Sequence, residues 1–276
     1  MSVAPRPSRL VLLGHPVAHS LSPRFQNAAL AAAGIPLTYS TLDVEPHEFE
    51  NVIATLRAEG VAGNVTVPFK ERMFAACDRV TDLARRVEAV NTFWVDEAGY
   101  LNGDNTDAGG FAAAAVALLG REPRDITVGV YGAGGAAAAV LAAVEQWPGC
   151  RAHVYNRTIE RARQLCERFR DVAQPVDDVA GILGSELVVN ATSIGVRDFA
   201  LPIALDLIPR GRAVLDLVYK RGETAWIRAL RARRFQAADG ITMLVEQGAL
   251  AFERWFGIAA DRAVMWNSLE ESPTVS

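Results

Sequence analysis

Small polar side chains recur in the first part of the chain, each beside a strand-like run or at the start of a helix-like one. They combine hydroxyl and amide groups with one lysine and one aspartate: Ser20, Ser22, Thr66, Lys70, Asn91, Asn105 and Asp107. In open α/β sheets, ligands bind outside the carboxyl ends of the strands. Such a set therefore favours a small ligand with several hydroxyl groups, and the lysine and aspartate could move or stabilise charge.

Lys70 ends the stretch GNVTVPFK (63–70), in which Val65, Val67 and Phe69 predict the end of a buried strand. Pro68 cannot donate to a sheet ladder, so we expect the strand to end there and Lys70 to lie at the end of the sheet. A lysine in that place is a solvated surface residue in most proteins. It is also a group that can stabilise an oxyanion and donate a proton to it.

Simpler roles exist for the other polar candidates. Ser22 is the natural N-cap of a helix over SPRFQNAALAAAG (22–34), with Pro23 at its first position and Gly34 beyond its end. Asp107 could cap a helix that starts near Gly109 and ends at Gly120.

A glycine-rich loop, VYGAGGAAAAV (130–140), follows a predicted strand and opens a predicted helix. Gly132, Gly134 and Ala137 have the G-x-G-x-x-G/A spacing, in which the glycines allow a tight turn and close approach of a pyrophosphate. The pattern alone is weak, but the strand–loop–helix context supports a dinucleotide site. The candidate loop contacts are Gly132, Ala133, Gly134, Gly135 and Ala136.

The next predicted strand, in RAHVYNRTIER (151–161), indicates which dinucleotide is bound. It lacks the acidic residue that usually binds the ribose 2′-hydroxyl of NAD, and offers Asn156, Arg157, Thr158 and Arg161 instead. Two guanidinium groups and a hydroxyl suit a 2′-phosphate, which predicts NADP over NAD. The alternative is a solvated helix start with two surface arginines.

Composition narrows the functional class. The chain has 276 residues, half of them hydrophobic, with a net charge of −4, which argues against a general nucleic-acid or anionic-membrane binder. Three cysteines (Cys77, Cys150, Cys166) and four histidines (His15, His19, His47, His153) show neither a disulfide framework nor metal-ligand spacing. The first ten residues lack the apolar core of a signal peptide, and no run is long enough for a membrane helix. We expect a cytoplasmic protein with no metal.

Alternating strand-like and helical runs predict an α/β fold with two lobes, an N-terminal lobe with a mostly parallel sheet and a Rossmann-like lobe, with a cleft between them. We expect a substrate-binding and catalytic domain over 1–108 plus 240–276, and a dinucleotide-binding domain over 109–239.

Nearly the whole chain resembles the shikimate dehydrogenase family. The resemblance is carried by HSLSP, NVTVPFK, AVNT, GDNTD, GAGGA, NRT, NATS, LDLVY and MLVEQGALAFERW. It implies an NADP-dependent enzyme that reduces 3-dehydroshikimate to shikimate in aromatic amino acid biosynthesis, as a monomer or homodimer.

The resemblance also implies roles for individual residues. Ser20 and Ser22 would bind the substrate carboxylate, with Thr66 and Tyr219 nearby. Lys70, Asn91, Asp107 and Gln247 would hold the ring hydroxyls, and Lys70 and Asp107 would form the catalytic pair. The cofactor contacts would be the glycine loop, the NRT segment with Arg161, and Thr192 and Gly240.

This chain departs from the family pattern at four places. His15 and Gln26 replace a frequent Asn and His, Ala138 stands where an Arg is common, and VYKRGET (218–224) lacks a proline. Alternatives are a quinate or aminoshikimate dehydrogenase of the same family, a dinucleotide-dependent enzyme acting on another small acid, and a non-catalytic NADP-sensing module.

Overall fold

The computed structural model describes residues 7–220 and 222–270, so the interpretation of the first ten residues falls partly outside the described residues. The backbone divides into two compact units, Met1–Thr106 with Leu244–Ser276, and Asp107–Met243. The sequence-based prediction places the two boundaries after residues 108 and 239.

The first unit has a six-stranded sheet in the order β2-β1-β3-β5-β6-β4. Its strands are β1 (Leu10–Gly14), β2 (Tyr39–Asp43), β3 (Ala62–Val65), β4 (Arg79–Val80), β5 (Thr92–Val95) and β6 (Leu101–Asp104). Only β5 runs antiparallel to its neighbours. The residue before β5 therefore lies at the same edge as the residues that follow β3 and β6.

Among residues 7–106 and 244–270, which are the described part of the first unit, six α-helices contribute residues. They are α1 (Ser22–Ala32), α2 (Phe49–Ala58), α3 (Lys70–Ala76), α4 (Asp82–Val87), most of α10 (Ile241–Phe256) and α11 (Arg262–Glu270). In α2, Phe49, Ile53 and Leu56 repeat at helical spacing, and all three are buried in the core beside Phe69 and Phe93.

The second unit has a parallel six-stranded sheet in the order β12-β11-β10-β7-β8-β9. Its strands are β7 (Thr127–Tyr131), β8 (Arg151–Tyr155), β9 (Ala173–Pro175), β10 (Leu187–Asn190), β11 (Ala213–Asp216) and β12 (Gln236–Ala238). Its helices are α5 (Asp107–Leu119), α6 (Gly135–Glu145), α7 (Ile159–Arg168), α8 (Ala180–Leu183) and α9 (Ala225–Ala232), before α10 begins. Close packing requires Gly129, where an added Cβ would lie 2.3 Å from the Ile182 carbonyl oxygen. The predicted α/β architecture, with mostly parallel sheets, is confirmed.

Two local predictions are wrong. The strand that contains Val65 ends at that residue, three residues before Pro68, and Val67 is 69% exposed rather than buried. Beyond the strand, the Thr66 carbonyl accepts a turn hydrogen bond from the Phe69 amide at 3.0 Å. Lys70 is thus the first residue of α3 and does not lie directly at a strand end.

The second correction concerns Ser22. The N-cap residue of α1 is Leu21, and Ser22 is already helical. The Ser22 amide donates to Ser20 Oγ at 3.2 Å, so the preceding serine satisfies an amide of the first turn. Gly34 lies beyond the helix end with a positive φ of 64°, as predicted.

Candidate active site

Three polar residues predicted from the sequence, Thr66, Asn91 and Asn105, lie beside strand ends at the carboxyl edge of the first sheet. Thr66 follows β3, and its amide donates to the Leu13 carbonyl of β1 at 2.8 Å. Gly14 ends β1 beside it, where an added Cβ would lie 2.4 Å from Thr66 Cγ2. A side chain at position 14 would therefore displace Thr66 from this edge.

Lys70 and Asn91 lie on adjacent backbone segments. The Val90 amide donates to the Lys70 carbonyl at 2.9 Å, which fixes the start of α3 against the residue before Asn91. Helix dipoles favour basic side chains at C-termini, so helix stability does not explain a lysine at this N-terminus. Beneath it, the rings of Phe69 and Phe49 stack with centroids 5.0 Å apart, which anchors this turn to the core.

Asn91 is at the centre of a buried hydrogen-bond network. Its Oδ1 accepts from the Thr106 amide at 2.8 Å and from Thr92 Oγ1 at 3.0 Å. Its Nδ2 donates to Gln247 Oε1 at 3.3 Å. Gln247 is 9% exposed, so it is a buried residue and not a solvated residue on the surface of its helix. Sequence analysis did not identify Thr92, since a threonine in a strand is also explained by propensity.

Asn105 has a structural role. Its Nδ2 donates to the Ala89 carbonyl at 3.0 Å, and its amide donates to Asp104 Oδ1 at 2.8 Å. These bonds fix the backbone that leads to Asp107. Asp107 is 5% exposed and is the first residue of α5, two positions before the predicted start.

The glycine loop of the second unit joins β7 to α6. Gly132 has a φ of 124°, and an added Cβ would lie 2.8 Å from the Ala191 carbonyl oxygen. Gly134 is exposed, and no atom of the described residues lies within 4 Å of the Cβ it lacks. The protein itself thus requires glycine at position 132 but not at position 134. Open space before a helix N-terminus fits the close approach of a dinucleotide pyrophosphate.

The basic segment after β8 is arranged around the start of α7. Asn156 Nδ2 donates to the Thr158 carbonyl at 2.9 Å, which shapes the turn. Arg157 and Arg161 are exposed, and within residues 7–220 and 222–270 neither guanidinium forms an ion pair with a carboxylate. Two uncommitted guanidinium groups fit a phosphate ligand.

A buried polar cluster supports the loop that contains Thr192. Asp216 Oδ1 accepts from Asn190 Nδ2 at 2.8 Å and from the Val218 amide at 3.1 Å. Asn190 Oδ1 in turn accepts from Thr192 Oγ1 at 2.7 Å. Burial raises the pKa of Asp216, and the hydrogen bonds from Asn190 and Thr224 oppose that rise.

Tyr219 and Gly240 lie on the two segments that meet beside this cluster. Tyr219 is half-buried and directly follows Val218, whose carbonyl accepts from the Gly240 amide at 3.1 Å. An added Cβ at Gly240 would lie 2.3 Å from the Leu217 carbonyl oxygen. Close backbone packing therefore explains this glycine without a ligand.

Neither a metal centre nor a membrane span was found in the part of the chain that the structure describes. No group of three or more histidine, cysteine, aspartate or glutamate side chains there is arranged to hold a metal ion. No described helix is long and apolar enough to cross a bilayer.

A polar sheet edge in one α/β unit and a glycine loop before a helix in the other define a dinucleotide-binding enzyme class. Comparison with known proteins narrows this class. The family model for the shikimate dehydrogenase substrate binding domain matches residues 12–93, and that for the shikimate 5'-dehydrogenase C-terminal domain matches residues 240–270. A Rubrobacter xylanophilus protein named shikimate dehydrogenase (NADP(+)) is 42% identical over 94% of each chain. The chain belongs to the shikimate dehydrogenase family.

Solved structures agree with this assignment. Shikimate dehydrogenase from Aquifex aeolicus superposes with a TM-score of 0.88 at 34% identity, over 95% of this chain and 98% of that one. Shikimate 5-dehydrogenase from Thermus thermophilus, solved in complex with NADP(H) and shikimate, gives 0.86 at 36% identity over the same shares.

Proposed function

We propose that this chain is an NADP-dependent shikimate dehydrogenase that reversibly reduces 3-dehydroshikimate to shikimate. The observation that carries the proposal is the 42% identity, over 94% of both chains, to a relative named for that activity. The related Thermus enzyme has been solved with both ligands. The reaction is a step toward the aromatic amino acids.

The substrate site that we propose is built on the polar edge of the first unit. Ser20 and Ser22 bind the carboxylate, and their spacing is fixed by the hydrogen bond from the Ser22 amide to Ser20 Oγ. Thr66 and Tyr219 assist them. The ring hydroxyls are bound by four side chains, Lys70, Asn91, Asp107 and Gln247.

In this proposal, Lys70 and Asp107 are the catalytic residues. Negative charge develops on the ketone oxygen during reduction, and the Lys70 ammonium stabilises it and donates the proton. In the direction of shikimate oxidation, the neutral amine of Lys70 accepts the hydroxyl proton. Asp107 hydrogen-bonds the same hydroxyl and orients the lysine. The nicotinamide, when bound, supplies or accepts the hydride.

The second unit supplies the cofactor contacts. Gly132 to Ala136 receive the pyrophosphate, because Gly134 leaves room for it above the amides of α6. Arg157 and Arg161 bind the 2′-phosphate, with Asn156 and Thr158 shaping the turn between them. Thr192 lies on the next loop of the same sheet edge. Position 138, where the family often has an Arg, holds a buried Ala in α6, so this position supplies no guanidinium group for a phosphate.

The direct test is an absorbance assay of nicotinamide reduction with shikimate or quinate and with NADP⁺ or NAD⁺. Saturable turnover with shikimate and NADP⁺, and much weaker turnover with the other pairs, supports the proposal. Preference for quinate would make the chain a quinate dehydrogenase of this family. Binding of NADPH without turnover of any substrate would favour the sensing module.

The oligomeric state and the cellular location of the protein are predicted separately, and each has its own test. A monomer or homodimer is expected, and light scattering coupled to size exclusion distinguishes the two. Cell fractionation tests the expected cytoplasmic location.

A further inference from the structure

Gln26 joins helix α1 to helix α10 inside the first unit. Its side chain is fully buried, and its Nε2 donates to the Gly248 main-chain carbonyl at 2.9 Å. A carbonyl oxygen can only accept, so the amide atom that faces it must be the nitrogen. Both helices carry proposed substrate contacts. Ser22 lies one turn before Gln26 on the same face of α1, and Gln247 directly precedes Gly248 in α10.

The backbone of α10 comes close to α1 at Gly248. An added Cβ there would lie 2.3 Å from Phe25 Cε2 and 3.2 Å from Gln26 Nε2. The Phe25 ring therefore packs directly on the glycine and sets the separation of the two helices. Apolar packing has little directionality, whereas a hydrogen bond depends on distance and angle. Gln26 is thus the group of this contact that can fix how far one helix is shifted along the other.

Stability alone does not account for a glutamine at position 26. Within the part of the chain that the structure describes, the buried Oε1 atom of Gln26 has no hydrogen-bond partner. A buried acceptor without a partner costs free energy, which offsets the bond made by Nε2. Such a group calls for an explanation other than stability. The place of Gln26 between Ser22 and Gln247 offers one.

We propose that Gln26 is a positioning residue that sets the spacing between Ser22 and Gln247. The inference rests on the proposed function, in which Ser22 binds the substrate carboxylate and Gln247 binds a ring hydroxyl. A ligand held at two points binds well only when the spacing of the two contacts matches its own. A shift of α1 along α10 would leave both side chains in place on their helices and would remove that match.

The experiment begins with Gln26→Leu in the full chain. This variant removes the donor and the unpartnered acceptor together. We expect kcat/KM for shikimate to fall about tenfold or more, since misplacing a bound group by about 1 Å is enough for such a loss. The urea midpoint should stay close to that of the wild type, because one hydrogen bond and one unsatisfied group are both lost. NADPH affinity should not change, because the proposed cofactor contacts lie in the second unit.

A second ligand distinguishes positioning from a general loss of structure. In this analogue of shikimate, hydrogen replaces the carboxylate, so only the ring contacts remain. It is tested as a substrate or, where turnover is too slow to follow, as a competitive inhibitor of shikimate. Gln26→Leu should weaken it by less than about threefold, because a ligand held at one point does not depend on the spacing. Equal losses for shikimate and the analogue would contradict the proposal.

Gln26→His tests the hydrogen bond itself. A ring N–H of histidine can donate to the Gly248 carbonyl, so kcat/KM for shikimate should stay within about threefold of the wild-type value. Arg24→Met is the matched control, because Arg24 Nη2 joins the same helix to the Ser268 carbonyl of α11 at 2.6 Å. No proposed substrate contact lies on α11, so this variant should leave the ratio of the two ligands unchanged. A loss in Gln26→His as large as that in Gln26→Leu would count against the hydrogen bond.

The two proposals fail in different ways. If the wild-type chain binds NADPH but turns over no shikimate, the proposed function fails. If it turns over shikimate and Gln26→Leu behaves like the wild type with both ligands, the function stands and the positioning role is wrong. Should Gln26→Leu not fold, Gln26→Met decides the question, since its unbranched side chain also lacks the donor and adapts to its surroundings.

Discussion

Two nitrogen atoms of the Arg254 guanidinium, in α10, donate to a single oxygen of Asp104 at the end of β6. Nε and Nη2 lie 2.9 Å and 2.6 Å from Asp104 Oδ2. The side chain of Asp104 is 6% exposed, and its Oδ1 accepts from Thr81 Oγ1 at 2.5 Å. The pair holds the last turns of α10 against β6, the strand that leads to Asn105 and Asp107.

Loss of that guanidinium would leave a buried carboxylate with fewer donors. For Arg254→Gln we expect the free energy of unfolding to fall by about 1–3 kcal/mol. This is less than for a fully buried ion pair, because the arginine is half exposed. Urea unfolding gives the value. Arg170→Gln removes a 3.9 Å pair whose partners are each more than three-quarters exposed, and it should change stability by less than about 0.5 kcal/mol. Equal losses in the two variants would contradict the interpretation.

Gly132 and Gly134 of the glycine loop should respond differently to an added methyl group. Gly134→Ala meets no atom of the described residues, so stability should be unchanged while NADPH affinity falls about tenfold or more. Gly132→Ala combines a positive φ with a clash against the Ala191 carbonyl, and should lower the melting temperature. Fluorescence titration and thermal unfolding separate the effects. Full NADPH affinity in Gly134→Ala would refute the proposed pyrophosphate position.

Arg157 tests the choice of cofactor. In Arg157→Asp, a carboxylate would repel the 2′-phosphate and could accept from a ribose hydroxyl, so kcat/KM with NADP⁺ should fall about a hundredfold relative to that with NAD⁺. Arg163→Asp is a control in α7, the helix that follows Arg157, and Arg163 lies 3.7 Å from Asp177. An unchanged ratio in Arg157→Asp would show that this arginine does not bind the phosphate.

Lys70 is predicted to act in the chemical step more than in binding. Lys70→Ala should lower kcat by about a thousandfold with a much smaller rise in KM, since the oxyanion loses its positive charge and its proton donor. Circular dichroism and urea unfolding report whether the first unit, which contains Lys70, is folded in the variant. A near-normal kcat would exclude Lys70 from the proposed role.

Asp216 gives a prediction about pH. Burial raises its pKa, so the folded state holds the proton more tightly than the unfolded state does. The contribution of Asp216 to the free energy of unfolding is most favourable below the pKa that the group has in the unfolded state. It becomes less favourable as the pH rises through the pKa of the group in the folded state. Asp216→Asn keeps an acceptor for Asn190 and removes this dependence. The stability of the variant relative to wild type should therefore increase with pH.

The control for this prediction is Asp171→Asn, at an exposed position. Its stability difference from wild type should not depend on pH. Urea midpoints measured for all three proteins between mildly acidic and neutral pH suffice. A difference for Asp216→Asn that falls with rising pH would show that the carboxylate is favoured in the folded state.

The sequence was informative where a local pattern has a single physical meaning. Gly34 beyond the end of α1 and the glycine-rich turn between β7 and α6 were both predicted and are both present, since each depends on residues close in the chain. The end of β3 was predicted wrongly, because the strand ends at Val65 and the turn that joins the Phe69 amide to the Thr66 carbonyl begins before Pro68.

Contacts that depend on strand register could not be predicted from local pattern. Tyr39 and Asn64 are 25 positions apart and form a hydrogen bond because both of their strands pair with β1. Asn64 lies opposite Thr92 because β5 runs antiparallel. The roles of Asn64, Thr92 and Thr106 therefore emerge only from the folded sheet.

The reversal of β5 also makes one end of this sheet available for engineering. Because Asn91 precedes β5 at the polar edge, the turn that follows the strand lies at the opposite edge. Asp96 closes that turn by accepting from the Ala98 and Tyr100 amides, and Glu97 and Ala98 are exposed. A peptide tag or fluorophore inserted between these two residues would tether the enzyme to a surface with its polar edge facing away.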